Sequence, residues 1–330
     1  MIFSKTTALL ALASGAYAQS QYTSTGTAAV AKAAATALTL SPTSSVAGLT
    51  FDRFVQIWLE NEDYSAAIKD TNLAYLASLG ITLTNYFAIT HPSQPNYVAA
   101  VGGNTFGIAD DSTHYISSST KTIVDLLEDA GVSWSVYQED MPYSGFEANY
   151  ANQKTGANDY MRKHKYVSQY QHYLRAKVTD KSFPSPLMSY NSVTSNTDRL
   201  AKSKNFTMFY EDLDNNKLPQ WMFITPNMTN DGHDSSLATA GTWSRNFLTP
   251  LLSNENFNTD STLIILTFDE GLTIGTNQIY AVLLGGAVSS AKVGTKDNTA
   301  YNHYSLLKTV ETNWDLGNLG ENDVDATAFF

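Results

Sequence analysis

Seven consecutive residues, Thr262-Leu263-Ile264-Ile265-Leu266-Thr267-Phe268, carry no charge and show no alternation of polar with apolar side chains. A strand of this kind has no face to offer water, so it must be covered on both sides. Phe54 to Leu59 is a second such run, and Gln220–Thr225 and Ile279–Leu284 have the same character. Ile81–Phe87 and Val132–Tyr137 read as further strands. Helical segments stand between them. Asn72–Ser78 puts Leu73, Leu76 and Ala77 on one face, with Gly80 as its stop. After Thr122, a capping residue, Ile123, Leu126, Leu127 and Ala130 share a side and Gly131 ends the turn. Tyr304, Leu307, Val310, Glu311 and Trp314 fall on or near one face of a last helix. This alternation predicts an α/β fold with a mostly parallel central sheet and helices on both faces.

The remaining stretches set the domain plan. Residues 140–200 are rich in Tyr, Asn, Ser and Lys and weakly periodic, which predicts an irregular insertion over the sheet edge and a candidate substrate lid. Residues 1–18 read as a signal peptide: Lys5, the apolar run Ala8–Ala13 and the small-x-small site Ala16-Tyr17-Ala18. A secreted, extracellular protein is therefore expected. Residues 19–50 contain one Lys, Lys32, and no Asp or Glu, and predict an exposed, poorly ordered lead-in of low complexity. The catalytic domain is then 51–330. No run reaches the roughly 18 apolar residues that a membrane span needs. Asn205-Phe206-Thr207 and Asn227-Met228-Thr229 are sequons for N-glycosylation. A formal charge of -11 argues against nucleic acid and anionic membranes as partners. With no cysteine, disulfides, thiolate nucleophiles and thiolate metal sites are excluded. Oligomeric state is not legible.

The chemistry gathers around Ser93. Pro92 and Pro95 forbid continued sheet pairing after the strand at 81–87, and Pro95 suits the first turn of a helix that Gly102 or Gly103 would stop. Backbone N–H groups at such a helix start favour an anion, whether a phosphate or an ionised serine. The plainer alternative is that Ser93 only caps the helix. Two other strands end in Glu60-Asn61 and in Asp269-Glu270-Gly271. Ligands of open α/β sheets bind beyond the carboxyl ends of the strands, so three such ends predict one shared site. Carboxylates, an amide and a hydroxyl are hard donors suited to an ion such as Ca²⁺, Mg²⁺ or Mn²⁺. A metal would lower the pKa of the Ser93 hydroxyl and orient it. His233, in Asn230-Asp231-Gly232-His233-Asp234, also follows a strand, and His164 sits in the basic cluster Arg162-Lys163-His164-Lys165. Either could bind phosphate oxygens or protonate a leaving alkoxide. No Gly-x-Ser-x-Gly elbow surrounds Ser93, and no nucleotide-binding glycine loop occurs.

Glu60-Asn61, His91-Pro92-Ser93-Gln94-Pro95-Asn96-Tyr97, Arg162-Lys163-His164, Asn230 to Asp234 and Asp269-Glu270-Gly271 together resemble the phosphoesterase family of acid phosphatases and bacterial phospholipases C. That family lies within the alkaline phosphatase superfamily, and the chain is most similar to secreted phosphate-repressible fungal acid phosphatases. The resemblance implies a phosphoserine formed on Ser93. It implies one divalent metal, of unknown identity, held by Glu60, Asn61, Asp269 and Glu270 with Ser93 as a further ligand. His164 and His233 map onto histidines that face the phosphate, and Asn96 is expected to bind substrate with them. The loop Phe106–Asp111 resembles a superfamily stretch beside the phosphate, with Asp where Asn is more familiar. The full Asp and His set for two zinc ions is not found, which favours a single-metal branch. The implied activity is hydrolysis of small-molecule phosphate monoesters at acid pH. The rival readings are a phospholipase C-like phosphodiesterase and, more distantly, an inactive secreted binding protein on the same fold.

Overall fold

The computed structural model describes residues 27–151, 158–160 and 185–330. The expected signal peptide and His164 with its basic cluster lie outside the described residues.

The chain opens with α1 (Thr27–Ala34), β1 (Arg53–Leu59), α2 (Tyr64–Ala67), α3 (Thr71–Ser78), β2 (Ile81–Leu83) and β3 (Tyr86–Phe87). Then come α4 (Ser93–Gly102), α5 (Ile123–Asp129), β4 (Trp134–Gln138), β5 (Tyr150–Ala151), β6 (Asn158–Tyr160), α6 (Asn191–Thr194), α7 (Thr197–Leu200) and β7 (Ser203–Asn205). The last part holds α8 (Phe206–Asp214), β8 (Trp221–Thr225), α9 (Leu237–Leu252), β9 (Thr262–Phe268), β10 (Ala281–Leu284), β11 (Thr295–Asp297), β12 (Tyr301–Asn302) and α10 (Tyr304–Trp314).

Eight strands form one sheet in the order β11-β2-β10-β9-β1-β8-β4-β7. The pairings are parallel except those of β10, which runs antiparallel to β9 and β2. Every residue of β9 is buried, as its uninterrupted apolar run requires. α3 packs against α9, and α4 against α10. The mostly parallel α/β architecture expected from the sequence is thus the one found. Its register matters for function. β1 and β9 pair from Arg53↔Thr262 to Leu59↔Phe268, so Glu60 and Asp269 emerge side by side where the ladder ends.

Three departures have physical causes. The run 81–87 is two strands: β2 joins the main sheet, and β3 pairs with β12 in a separate two-stranded sheet. The longest described helix, α9, has no strong apolar stripe. Its buried face is Ala240, Gly241, Ser244, Phe247, Leu248 and Leu251. The Ser236 hydroxyl caps it at Thr239 N, and bare Gly241 lets Asp70 approach where a Cβ would meet Oδ1 at 2.3 Å. The lead-in, expected to be exposed and poorly ordered, is exposed or half-buried over 31–50 yet tied to the body at several points. Ser44 Oγ donates to Gln220 Oε1 at 2.6 Å, Val46 N donates to the same oxygen at 2.8 Å, and Thr39 Oγ1 donates to Ser144 Oγ at 2.7 Å. Short hydroxyl side chains and free backbone groups suffice to hold an uncharged segment once partners such as Gln220 are presented. Within the insertion, the described part carries a small core of its own, in which Met141, Tyr143, Phe146, Tyr160, Met188 and Leu200 pack with Val30 of α1.

Candidate active site

Ser93 is the first residue of α4, with Pro92 at the cap position and Gly103 closing the helix at φ 75°. Ser93 therefore does not cap. Its hydroxyl lies 2.9 Å from Glu270 Oε1 and 3.2 Å from Glu60 Oε2. Asn61 Nδ2 donates to the same Glu270 Oε1 at 2.7 Å, and Asn61 N donates to Asp269 Oδ1 at 3.0 Å. Asn61 stands at φ 49°, a left-handed conformation that asparagine accepts more readily than most residues. That turn bends the chain leaving β1 over the end of β9. The three strand ends expected to converge do so.

Four carboxyl groups lie buried together: Glu60, Asp231, Asp269 and Glu270. Burial raises the pKa of Glu60 well above the ordinary range, and Asp269 and Asp231 add repulsion. Burial followed by Glu270 does the same to Asp269, and burial raises Asp231. His91 stands against Glu270. Its Nδ1 lies 2.5 Å from Glu270 Oε2, and this hydrogen bond, more than any other contact, raises the imidazole above its usual value. Tyr97 sits one turn after Ser93 on α4, and its hydroxyl donates to Glu60 Oε1 at 2.5 Å.

His303 belongs to the scaffold. It is fully buried, stacks on Trp58 with ring centroids 4.3 Å apart, and its pKa is pushed down to about 4 by burial. A carbonyl can only accept, so Nε2–H donates to Asp269 O at 2.6 Å, and Nδ1 accepts from the Tyr86 hydroxyl at 3.2 Å.

Asn96, expected to bind substrate, is fully buried and holds the loop before it. Its Oδ1 accepts from Ile89 N and Thr90 N, and its Nδ2 donates to Thr90 O and Pro92 O. An amide with both halves committed to backbone shapes the Ser93 loop rather than reaching for a ligand. The anion-attracting helix start is also partly spoken for, because Gln94 N donates to Asp111 Oδ1 at 2.9 Å and Pro95 has no N–H. His233 lies on the loop after β8. Its backbone N donates to Asp231 Oδ1, and its Nδ1 is 2.7 Å from Asp234 Oδ1. That loop reaches the site through Asp231, whose carbonyl accepts from Glu60 N at 3.0 Å. Of the two sequon asparagines, Asn205 Oδ1 caps α8 at Met208 N, and Asn227 Nδ2 donates to Asp140 Oδ2.

Sequence reasoning gave no role to His91, Tyr97, Asp231 or His303, which stand beside Ser93 and its carboxylates. The four-residue spacing of Ser93 and Tyr97 at a helix start was the available signal for Tyr97. Nothing local marks His303.

The Phosphoesterase family profile matches residues 41–274. The chain is 49% identical over 288 residues to a protein named acid phosphatase from Aspergillus fumigatus, covering 87% of this chain and 60% of that one. It is 50% identical over 285 residues to a probable acid phosphatase from Kluyveromyces lactis, covering 86% of this chain and 63% of the relative. The chain belongs to the phosphoesterase family. This phosphoesterase chain spans about three-fifths of the length of those relatives. A solved structure from a Bacteroides thetaiotaomicron locus for metabolism of multiple glycosaminoglycans shares the fold, with a TM-score of 0.52 at 12% identity, over 85% of this chain and 81% of that one.

The donor set of this phosphoesterase can be tested for a cation. No group of three or more His, Cys, Asp or Glu side chains among the described residues stands in a ready metal-binding arrangement. Asn61 Oδ1 and Asp269 Oδ2 are nonetheless buried with no hydrogen-bond partner among those residues. Buried oxygen acceptors lacking donors, beside carboxyls whose pKa burial and then mutual repulsion raise, are what a hard cation satisfies. The residues present fit the group.

Proposed function

We propose that the protein is a secreted acid phosphatase that hydrolyses small phosphate monoesters through a phosphoserine on Ser93. One observation carries the reading: a serine hydroxyl held between two buried glutamates at the first turn of a helix. The names of the relatives and the family match support the same reaction class.

Glu60, Asn61, Ser93, Asp269 and Glu270 would hold one divalent ion, which when bound supplies charge stabilisation and lowers the pKa of the hydroxyl. The chain does the rest. Tyr97 and Asn61 fix the carboxylates on either side of Ser93 by hydrogen bonds. Ser93 passes its proton to the Glu270 carboxylate, 2.9 Å away, as its Oγ bonds to phosphorus, and the ester bond from phosphorus to the leaving oxygen breaks. His233 delivers a proton to that oxygen, and the family resemblance assigns His164 to the phosphate. Water then attacks the phosphoserine, releasing inorganic phosphate and restoring the hydroxyl. His91, whose pKa the hydrogen bond to Glu270 raises, offsets in its protonated form the negative charge brought in by the phosphoryl group.

The test pairs p-nitrophenyl phosphate with bis-p-nitrophenyl phosphate. The reading expects turnover of the monoester to exceed that of the diester by orders of magnitude and to depend on Ser93. Faster turnover of the diester would favour the phosphodiesterase alternative.

A further inference from the structure

A pocket of about 560 Å³ opens between α8 and the first turns of α9. Trp243 and Tyr210, the latter 48% exposed, give it aromatic walls. Asn230, Thr239, Thr242 and Asn246 add amide and hydroxyl groups. Phe247 braces Trp243 with ring centroids 4.7 Å apart and planes 13° apart. Among the described residues no charged side chain lines the pocket. Flat aromatic surface flanked by neutral polar groups suits a hydroxylated ring: its C–H face packs on the indole, and its hydroxyls donate to amide and threonine oxygens, since Thr242 already gives its proton to Ala238 O and Asn230 Nδ2 already donates to Glu139. A second anionic group would find no cation there.

The pocket joins the Ser93 site through one residue. Asn230 lines it, and Asn230 Nδ2 is pinned to Glu139 Oε2 at 2.9 Å, as is Asn227 N. The next residue, Asp231, gives its carbonyl to Glu60 N. In the sheet β8 lies between β1 and β4, so the loop after β8 spans the strand-end gap between Glu60 and Glu139, two strand spacings or about 10 Å.

We propose that this pocket is the leaving-group subsite and that it selects phosphate esters of neutral hydroxylated rings, sugar phosphates above all. The selection rests on the Ser93 reading; binding of the ring itself does not.

The experiment compares kcat/KM for glucose 6-phosphate, phenyl phosphate and methyl phosphate in the wild type, Trp243→Ala and Thr242→Ala. The expected result is a fall of about tenfold in the glucose 6-phosphate to methyl phosphate ratio for Trp243→Ala, with a smaller fall for the exposed Thr242→Ala. Saturation-transfer NMR with glucose alone reads the pocket without chemistry; the contact is expected in the wild type and lost in Trp243→Ala. An unchanged ratio in both variants overturns the proposal, and so does a phenyl phosphate ratio that falls as far as the sugar's. Should Ser93→Ala keep its activity while glucose still contacts Trp243, the catalytic reading fails and the subsite stands.

Discussion

Ser93 and Tyr97 hold opposite oxygens of one carboxylate. The Ser93 hydroxyl lies 3.2 Å from Glu60 Oε2, and the Tyr97 hydroxyl donates to Glu60 Oε1 at 2.5 Å. One helical turn separates the two residues, so α4 presents the proposed nucleophile and its positioning group as a single rigid unit. Tyr97 packs on Trp58 with ring centroids 4.8 Å apart, which a phenylalanine would preserve. Tyr97→Phe therefore removes one hydrogen bond from a buried carboxylate and little packing. Its kcat on p-nitrophenyl phosphate should fall about tenfold to a hundredfold, with KM within about twofold and an unchanged far-ultraviolet spectrum. A kcat equal to wild type would remove Tyr97 from the positioning role.

Asp111 takes the Gln94 N–H that a phosphate oxygen would otherwise use. Asp111→Asn keeps an acceptor on that donor and deletes the charge. Inorganic phosphate should then inhibit several-fold more tightly, most visibly near pH 7, where the phosphate carries more charge. Equal inhibition constants at both pH 5 and pH 7 would show that the Asp111 carboxylate does not oppose the anion.

Glu311, on α10, is buried beside Asp323, and burial with that neighbour raises its pKa from 4.5 to about 8. A carboxyl more readily protonated folded than unfolded contributes stability below about 4.5, and this is lost as pH rises through about 8. The melting temperature should decline from pH 5 to pH 8. Glu311→Gln should flatten that decline, raising Tm at pH 8 by a few degrees and leaving it near wild type at pH 5. Parallel Tm–pH curves for the two proteins would contradict the assignment.

Asp269 is fully buried with Oδ2 unpartnered among the described residues, and we read it as a ligand oxygen. Elemental analysis of the purified protein should find close to one divalent ion per chain, reduced by dialysis against chelator. Asp269→Asn should carry little metal while keeping its fold. A wild-type protein that is fully active and metal-free would remove the ion from the account.

Much of this site was readable because strand ends place residues mechanically. Once β1 and β9 were recognised as doubly covered strands, Glu60 and Asp269 had to emerge at the same edge, and their register puts them adjacent. What escaped depended on partners far along the chain. Antiparallel β10 looks like a parallel strand, because burial on both faces imposes the same apolar run in either direction. Helix α9 buries glycine, alanine and serine, so apolar periodicity hardly announces it. Asn96 and His303 have the chemistry of ligand-binding groups, and only their neighbours reveal that one ties a loop and the other packs under Asp269.

The most direct measurement is an acid quench during turnover of a monoester near pH 5, followed by peptide mass spectrometry. The account predicts phosphate on the peptide that carries Ser93, absent in Ser93→Ala, whose turnover should drop by several orders of magnitude. Phosphate on another residue, or a Ser93→Ala enzyme within tenfold of wild type, would contradict it.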